Sequence, residues 1–426
     1  MVAILVSLVF LAMYIIIATE RMNKTTIALF VGTLFALVGV LKENEPFQFV
    51  DWNVIFLLAG MMVIVNITSK SGLFEYIAIS LSRLAGGRPL LILIFLSLAT
   101  AFISMFLDNV TTVLLMCPIS ILIAERLEIS YVPYLLSEVI ASNIGGTATL
   151  IGDPPNIIIG SAAGLSFISF ILNLAPVVLI ILAVFAFNLY LKYRKQLRTS
   201  RDIRARILSM EPSRAIQNRP LMWKSLFVLS LVLVGFLLHD AMGVLPSVIA
   251  LFGAMLLLII SGEDVGKALS GVGWTTLFFF IGLFMVVGAL EKVGVIEYLG
   301  RAVLSLTHGR VGFTSMLILW FSAAVSGIID NIPYTAAMVP LIKQVIGGLS
   351  GVHVGNVFWW SLALGSCLGG NATAIGASAN VLVVDLSKKY KHPVSFLEFA
   401  RFGIPVVFES LVISSLYIYF RYLMHI

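Results

Sequence analysis

Apolar runs of transmembrane length recur along the whole chain, at residues 2–18, 26–41, 53–69, 133–160, 167–191, 225–238, 244–261, 275–290, 356–382 and 402–423, and they predict ten crossings of a bilayer. Two more apolar stretches, 90–127 and 311–346, are each interrupted halfway by a polar cluster. They read as re-entrant helical hairpins. Within 133–160 and 356–382, paired glycines, and in the first stretch Pro154-Pro155, remove helical hydrogen bonds and predict a helix broken in mid-span. The first run has no basic segment before it and no small-residue cleavage site after it, so it reads as a span, not a secretion signal.

Composition agrees with this pattern. Of 426 residues, 60% are hydrophobic and 11% charged, a balance that a water-soluble domain of this size does not keep buried. The net charge of +6 is concentrated: ten Lys and Arg fall between Lys192 and Lys224 against two acids, Asp202 and Glu211. Between two membrane spans, such a segment records the positive-inside bias and not a nucleic-acid site. It predicts an inner-membrane protein with loop 192–224 in the cytoplasm and both termini outside. The two cysteines, Cys117 and Cys367, lie in apolar segments and offer neither a disulfide framework nor a CxxC metal site. No cofactor is implied.

The chain also repeats itself. At a fixed offset of 222, residues 51–118 and 273–340 share 17 identities in 68 positions, among them Gly60/Gly282, Lys70/Lys292, Gly72/Gly294, Asp108/Asp330 and Asn109/Asn331. At offset 224, residues 143–156 and 367–380 share seven of fourteen. The expected organisation is a first repeat at 1–191 (hairpin 90–127, broken helix 133–160), a basic linker at 192–224, and a second repeat at 225–426 (hairpin 311–346, broken helix 356–382). Five crossings per half is an odd number, so the second copy enters the membrane upside down. The predicted fold class is therefore all-α integral membrane, with two inverted-topology repeats of five helices, a construction common in secondary transporters.

The polar clusters carry the candidate chemistry. Asp108, Asn109, Thr111 and Thr112 stand at the middle of the first hairpin, and Asp330, Asn331 and Thr335 at the middle of the second. An Asp at bilayer depth costs about 2.5–3.5 kcal/mol, which favours a functional role for both; capping the second hairpin arm is the structural alternative. In the broken helices, Gly145, Gly146, Thr147, Thr149 and Asn156, with Gly369, Gly370, Asn371, Thr373 and Asn380, are candidates for substrate binding through side chains and freed backbone groups. Asp153, which faces Ala377 in the second copy, joins Asp108 and Asp330 as a candidate proton carrier. The five histidines all sit in or beside loops, and Glu138, near a span end, reads as solvated, with a second titrating role as the alternative.

These motifs resemble those of the ion transporter superfamily: Asp-Asn in both hairpins, Gly-Gly-Thr-Ala-Thr-Leu-Ile-Gly-Asp-Pro-Pro-Asn at 145–156 and Gly-Gly-Asn-Ala-Thr-Ala-Ile-Gly-Ala-Ser-Ala-Asn at 369–380. Within it the chain is most similar to the ArsB/NhaD branch, with the relatives of the pink-eyed dilution (P) protein. That resemblance implies a scaffold-and-transport organisation in which hairpin tips and broken helices form the site. Dicarboxylate symporters of the superfamily carry Ser-Asn-Thr at the tips; Asp108 and Asp330 there would repel a dianion. The resemblance implies either export of arsenite or antimonite, as the neutral trihydroxide, in exchange for protons, or Na+ (or Li+) exchange for protons, with Asp108, Asn109, Asp330 and Asn331 as the sodium ligands. It also implies a homodimer and, for an arsenite permease, a cytoplasmic ATPase partner. A channel and a membrane-embedded enzyme are the rival classes; the enzyme lacks an HExxH or GxSxG motif.

Overall fold

The computed structural model describes residues 2–19, 22–349, 356–390 and 392–424; His353 and His425 lie outside them. Among the described residues every regular element is helical. Six helices are long and apolar enough to cross a bilayer, Trp52–Ser69, Asn109–Arg126, Phe167–Tyr193, Arg219–Met242, Trp274–Lys292 and Phe396–Leu423, and shorter apolar helices accompany them. Large apolar side chains such as Phe30, Leu179, Phe227 and Phe252 remain exposed on the outer surface, as a lipid-facing surface requires. The protein is a multi-pass integral membrane protein.

The succession of elements occurs twice. In the first half, Val2–Ala18 and Lys24–Leu37 lead through the short helix Glu45–Gln48 to Trp52–Ser69 and Leu73–Leu84. The helix pair Pro89–Ser104 and Asn109–Arg126, the broken helix Val132–Gly146 and Pro154–Ala163, and the long Phe167–Tyr193 follow. In the second half Arg219–Met242, Pro246–Ser261, Val265–Ser270, Trp274–Lys292 and Val295–Thr307 precede the pair Val311–Ser326 and Asn331–Gly348. The broken helix there is Val357–Gly369 and Ser378–Lys389, and Phe396–Ile418 completes the half. The sequence pattern did not separate Leu73–Leu84 and Val295–Thr307 as elements. Both are amphipathic, with Glu75 and Arg83 or Glu297 and Arg301 on their polar faces, so neither reads as a continuous apolar run. Each begins after a left-handed glycine, Gly72 at φ 82° and Gly294 at φ 80°, a turn that a side chain would strain.

The halves are joined by exchanged contacts. Trp52–Ser69 packs on Pro246–Ser261 of the second half, while its counterpart Trp274–Lys292 packs on Lys24–Leu37 of the first. Two matched glycines permit this. A Cβ on Gly60 would stand 2.7 Å from the Ala250 carbonyl carbon, and one on Gly282 would stand 2.5 Å from the Leu29 nitrogen. Nearer the centre, Pro154–Ala163 packs on Asn331–Gly348, and Ser378–Lys389 packs on Asn109–Arg126. Each broken helix thus reaches the hairpin of the other half, and the four polar clusters converge there.

The basic linker folds against one end of the molecule. Its helix Arg201–Leu208 contributes Arg206, paired with Glu128 at 2.7 Å, and the Gln217 N–H donates to the Ser71 carbonyl at 3.0 Å.

Candidate functional site

Each hairpin tip is a helix start capped by its own aspartate. An Asp108 carboxylate oxygen accepts from the Thr111 N–H at 2.9 Å and one from Asp330 accepts from the Ile332 N–H at 3.1 Å, which satisfies amides that the helix leaves free. Capping and a place at the site coexist, because both aspartates also line the same cavity of about 650 Å³.

The broken helices are held open by their own polar side chains. Asn156 donates through Nδ2 to the carbonyls of Thr149 (2.8 Å) and Thr147 (3.1 Å), and its counterpart Asn380 donates to those of Gly370 and Thr373, both at 2.8 Å. Thr149 donates its hydroxyl to the Met105 carbonyl, and Thr373 donates to that of Gly327 at 2.6 Å, so each break is fastened to the hairpin tip of its own half. Thr147 and Thr335 turn back onto the carbonyls of Asn143 and Asn331, at 2.8 Å each. Gly145 and Gly369 allow the backbones to meet: an added Cβ would lie 2.1 Å from the Ala101 oxygen or 2.5 Å from the Ala323 Cα. Gly146 and Gly370 do the same against the Gly152 and Gly376 oxygens.

Behind the tips lies a buried cluster of amides around one acid. Asn109 donates to Asn143 Oδ1 at 2.9 Å and to Asp153 Oδ1 at 3.2 Å; Asn331, from the other half, donates to both Asp153 oxygens at 3.3 Å. Asn143 then donates across the molecule to Asn371 Oδ1 at 2.9 Å and Asn380 Oδ1 at 3.0 Å. All six residues are buried, so the amide groups stand in for water around Asp153.

The cavity in front of the cluster is bounded by Asp108 and Thr111 of one tip and Asp330 of the other, and Asn66, Ser69 and Gly271 also line it. Its two aspartates differ in company. Lys24 places Nζ 2.8 Å from Asp330 Oδ2 and 2.7 Å from Ser378 Oγ, and Ser378 itself donates to Asp330 Oδ2 at 2.7 Å. No ion pair forms at Asp108 among the described residues. Offset 222 from Lys24 is Pro246, so the matching position in the second half supplies no cation for Asp108.

Of the sequence candidates, Asp108, Thr111 and Asp330 border the cavity, while Asn109, Asp153, Asn331, Asn371 and Asn380 form the cluster behind it. Thr112 is buried between helices and away from the cavity wall. Glu138, read from the sequence as solvated, is fully buried, because it stands midway along Val132–Gly146, a helix that packs against both hairpin arms. Lys24, Asn143 and Ser378 were not among the candidates. A lysine two residues before the apolar run 26–41 was the available signal for Lys24; the Asn143/Cys367 mismatch was the signal for Asn143. Both thiols are buried, with Cys367 3.5 Å from Asn156 Oδ1.

A family model described as "Citrate transporter" (CitMHS) matches residues 14–365. An uncharacterized transporter of Mycobacterium tuberculosis is 44% identical over 418 residues, covering 97% of each chain. The P protein of Sus scrofa is 31% identical over 491 residues, covering 95% of this chain and 58% of that protein. Among solved structures, the Alcanivorax borkumensis YdaH transporter superposes with a TM-score of 0.61 at 14% identity, covering 91% of this chain and 87% of that one, which is a likeness of fold.

Proposed function

Since the chain belongs to the CitMHS citrate transporter family, and is thus a membrane transporter, we propose that it is a proton-coupled antiporter in which Asp108 carries the exchanged proton. The observation behind this reading is the unequal pair of tips: Asp330 already holds a cation, Lys24, whereas Asp108 faces the cavity without one. An aspartate free to lose its proton when a solute arrives, and to regain it on the other side of the membrane, is what coupling requires. Asp153, fixed between Asn109 and Asn331, is the third carboxyl in reach of the exchange.

The halves are taken as inverted repeats, and the positive-inside bias sets linker 192–224 in the cytoplasm with both termini outside. Ser69 lines the cavity two residues from Ser71, which receives the linker's Gln217 N–H. On that assignment the cavity faces the cytoplasm and the conformation is inward-facing.

For the solute, the walls argue against a polyanion. Asp108, Asp330 and Asp385 border the cavity with Lys24 as the one basic residue among its lining. A neutral or cationic solute fits that field better than citrate does. Arsenite or antimonite, as a neutral trihydroxide, is the first candidate of the ArsB/NhaD type; with both thiols buried it would be held by hydrogen bonds to hydroxyls, amides and carboxylates. The surplus of carboxylates favours Na+ as the second candidate, in exchange for protons as in the NhaD type.

Proteoliposomes under an imposed pH gradient separate these readings, with arsenite, sodium and citrate each offered in turn. Gradient-driven movement of arsenite alone supports the first candidate, and sodium movement alone replaces it with the second. Citrate movement would overturn the charge argument. Flux that is unaltered when the pH gradient is collapsed would replace the antiporter with a channel.

A further inference from the structure

Among the described residues nine buried side-chain oxygens and nitrogens lack a hydrogen-bond partner, and five of them lie on three mutually packed helices of the first half. These are the hydroxyls of Ser97, Thr100 and Ser104 on Pro89–Ser104, that of Thr112 on Asn109–Arg126, and Oε2 of Glu138 on Val132–Gly146. None of the nine belongs to the counterpart helices Val311–Ser326, Asn331–Gly348 and Val357–Gly369.

The matched residues explain the contrast. Thr100 and Thr112 correspond to Ser322 and Tyr334, and the Tyr334 phenol reaches across to Ser322 Oγ at 2.9 Å. Thr112 has no ring with which to span that distance, so both threonine hydroxyls are left unmatched. Ser104 corresponds to Ser326, which donates to the Ser366 carbonyl at 2.6 Å. Ser97 corresponds to Leu319 and, at offset 224, Glu138 corresponds to Leu362. One interface is closed by a phenol and leucines; its twin is lined with unmatched polar atoms. A polar site enclosed between helices, with several unmatched hydroxyls, is where buried water belongs.

The placement also makes a route. Ser97, Thr100 and Ser104 recur at helical spacing, and Ala101 and Ser104 of the same face touch Gly145 and Gly146 of the helix that carries Glu138. Asn109, Thr112 and Ser120 share one face of Asn109–Arg126 at positions i, i+3 and i+11. That face binds Asn143 and Asp153 at one end, through Asn109, and Glu138 at the other, through a hydrogen bond from the Ser120 hydroxyl to Oε1. Cys117 and Tyr134 are the other titratable groups facing Glu138, and no Lys, Arg or His pairs with it among the described residues. A carboxyl set there holds a proton without a counter-ion, and a polar route lets that proton exchange.

We propose that Glu138 is a proton-binding site, linked to the Asn109–Asp153 cluster by water held on the hydroxyls of Ser97, Thr100, Ser104 and Thr112, in the first half only. Its use in coupling rests on the antiporter reading; its existence does not. Tyr334 makes the second half the dry one, so protons enter the cluster from one side of the pseudo-symmetric pair.

Infrared spectroscopy of the full chain in lipid tests this without a known solute. The wild type is expected to show a protonated-carboxyl C=O band that Glu138→Gln removes and that shifts on transfer to D2O. Thr112→Tyr, which copies the second half, and Thr100→Val, which deletes a link, are each expected to slow that shift about tenfold or more. If Thr112→Tyr does not accumulate as folded protein, Thr100→Val decides alone. A spectrum unchanged by Glu138→Gln, or a band that exchanges as fast in the folded variants as in the wild type, overturns the proposal. Failure of the wild type to transport any solute would sink the antiporter reading and leave this result intact.

Discussion

The two hairpin ends begin from the same pair of residues, Asp-Asn, at matched positions, and arrive at different chemistry. At Asp330 the scaffold closes in: Lys24 and Ser378 bond its carboxylate, and the Tyr14 hydroxyl donates to the Pro333 carbonyl at 2.6 Å. Asp108 borders the same cavity with no cation paired to it among the described residues. Behind the tips the contrast continues, since Asp153 and Asn143 occupy the places of Ala377 and Cys367. Duplication supplied two copies of a frame, and the few positions where the copies diverge decide which carboxylate is neutralised, which is free, and where the buried acid sits.

The largest effect is expected where the halves are most alike. Gly145→Val and Gly369→Val each drive a side chain into the backbone of the neighbouring hairpin arm, and both should abolish recovery of monodisperse protein in detergent. Normal recovery of either variant would show that the close approach is not needed. Next come the tips themselves. Asp108→Asn should remove proton coupling while the protein remains folded, whereas Asp330→Asn should leave Lys24 without its partner and lower affinity or stability, with coupling retained; equal loss of coupling in both, measured as solute-driven proton movement in proteoliposomes, would erase the distinction drawn here.

A sharper form of the same test is Lys24→Met. Freed from its ammonium, Asp330 should behave like Asp108 and react with a hydrophobic carbodiimide, which mass spectrometry of the 330-containing peptide would detect; an Asp330 that labels equally in the wild type contradicts the pairing. Smaller again, Asn143→Ala removes three side-chain bonds. Because such bonds average about 0.6 kcal/mol each in membrane proteins, a loss on the order of 2 kcal/mol is expected, read as a lowered thermal midpoint.

The smallest effect belongs to two half-exposed ion pairs exchanged between the halves. The matched residues Lys70 and Lys292 bind Glu263 and Glu45 of the opposite halves. The hydrogen bond from Lys292 holds the exposed Glu45 carboxyl below its usual range. The contribution of that pair is therefore complete above the ordinary glutamate pKa of about 4.3 and fades as pH falls through the lowered value. Glu45→Gln should shift the thermal midpoint barely at pH 7 and not at all in strong acid; a large shift at either pH would give this surface pair a role that exposed pairs rarely have.

The sequence by itself determined the helical class, the duplication, the hairpins and the breaks, because each leaves a local signature. Apolar runs of fixed length mark spans, and glycine, proline or aspartate inside such a run marks an interruption that only a polar interior tolerates. The amphipathic helices at Leu73–Leu84 and Val295–Thr307 escaped that pattern because half their surface is polar. Only the tertiary structure decided how the matched residues differ. Lys24 meets Asp330 across 306 positions, and Asn143 meets Asn371 and Asn380 across 228 and 237. Hydropathy is a property of neighbours in the chain, whereas the company that a buried charge keeps is a property of the fold, since only packing selects which distant group replaces its water.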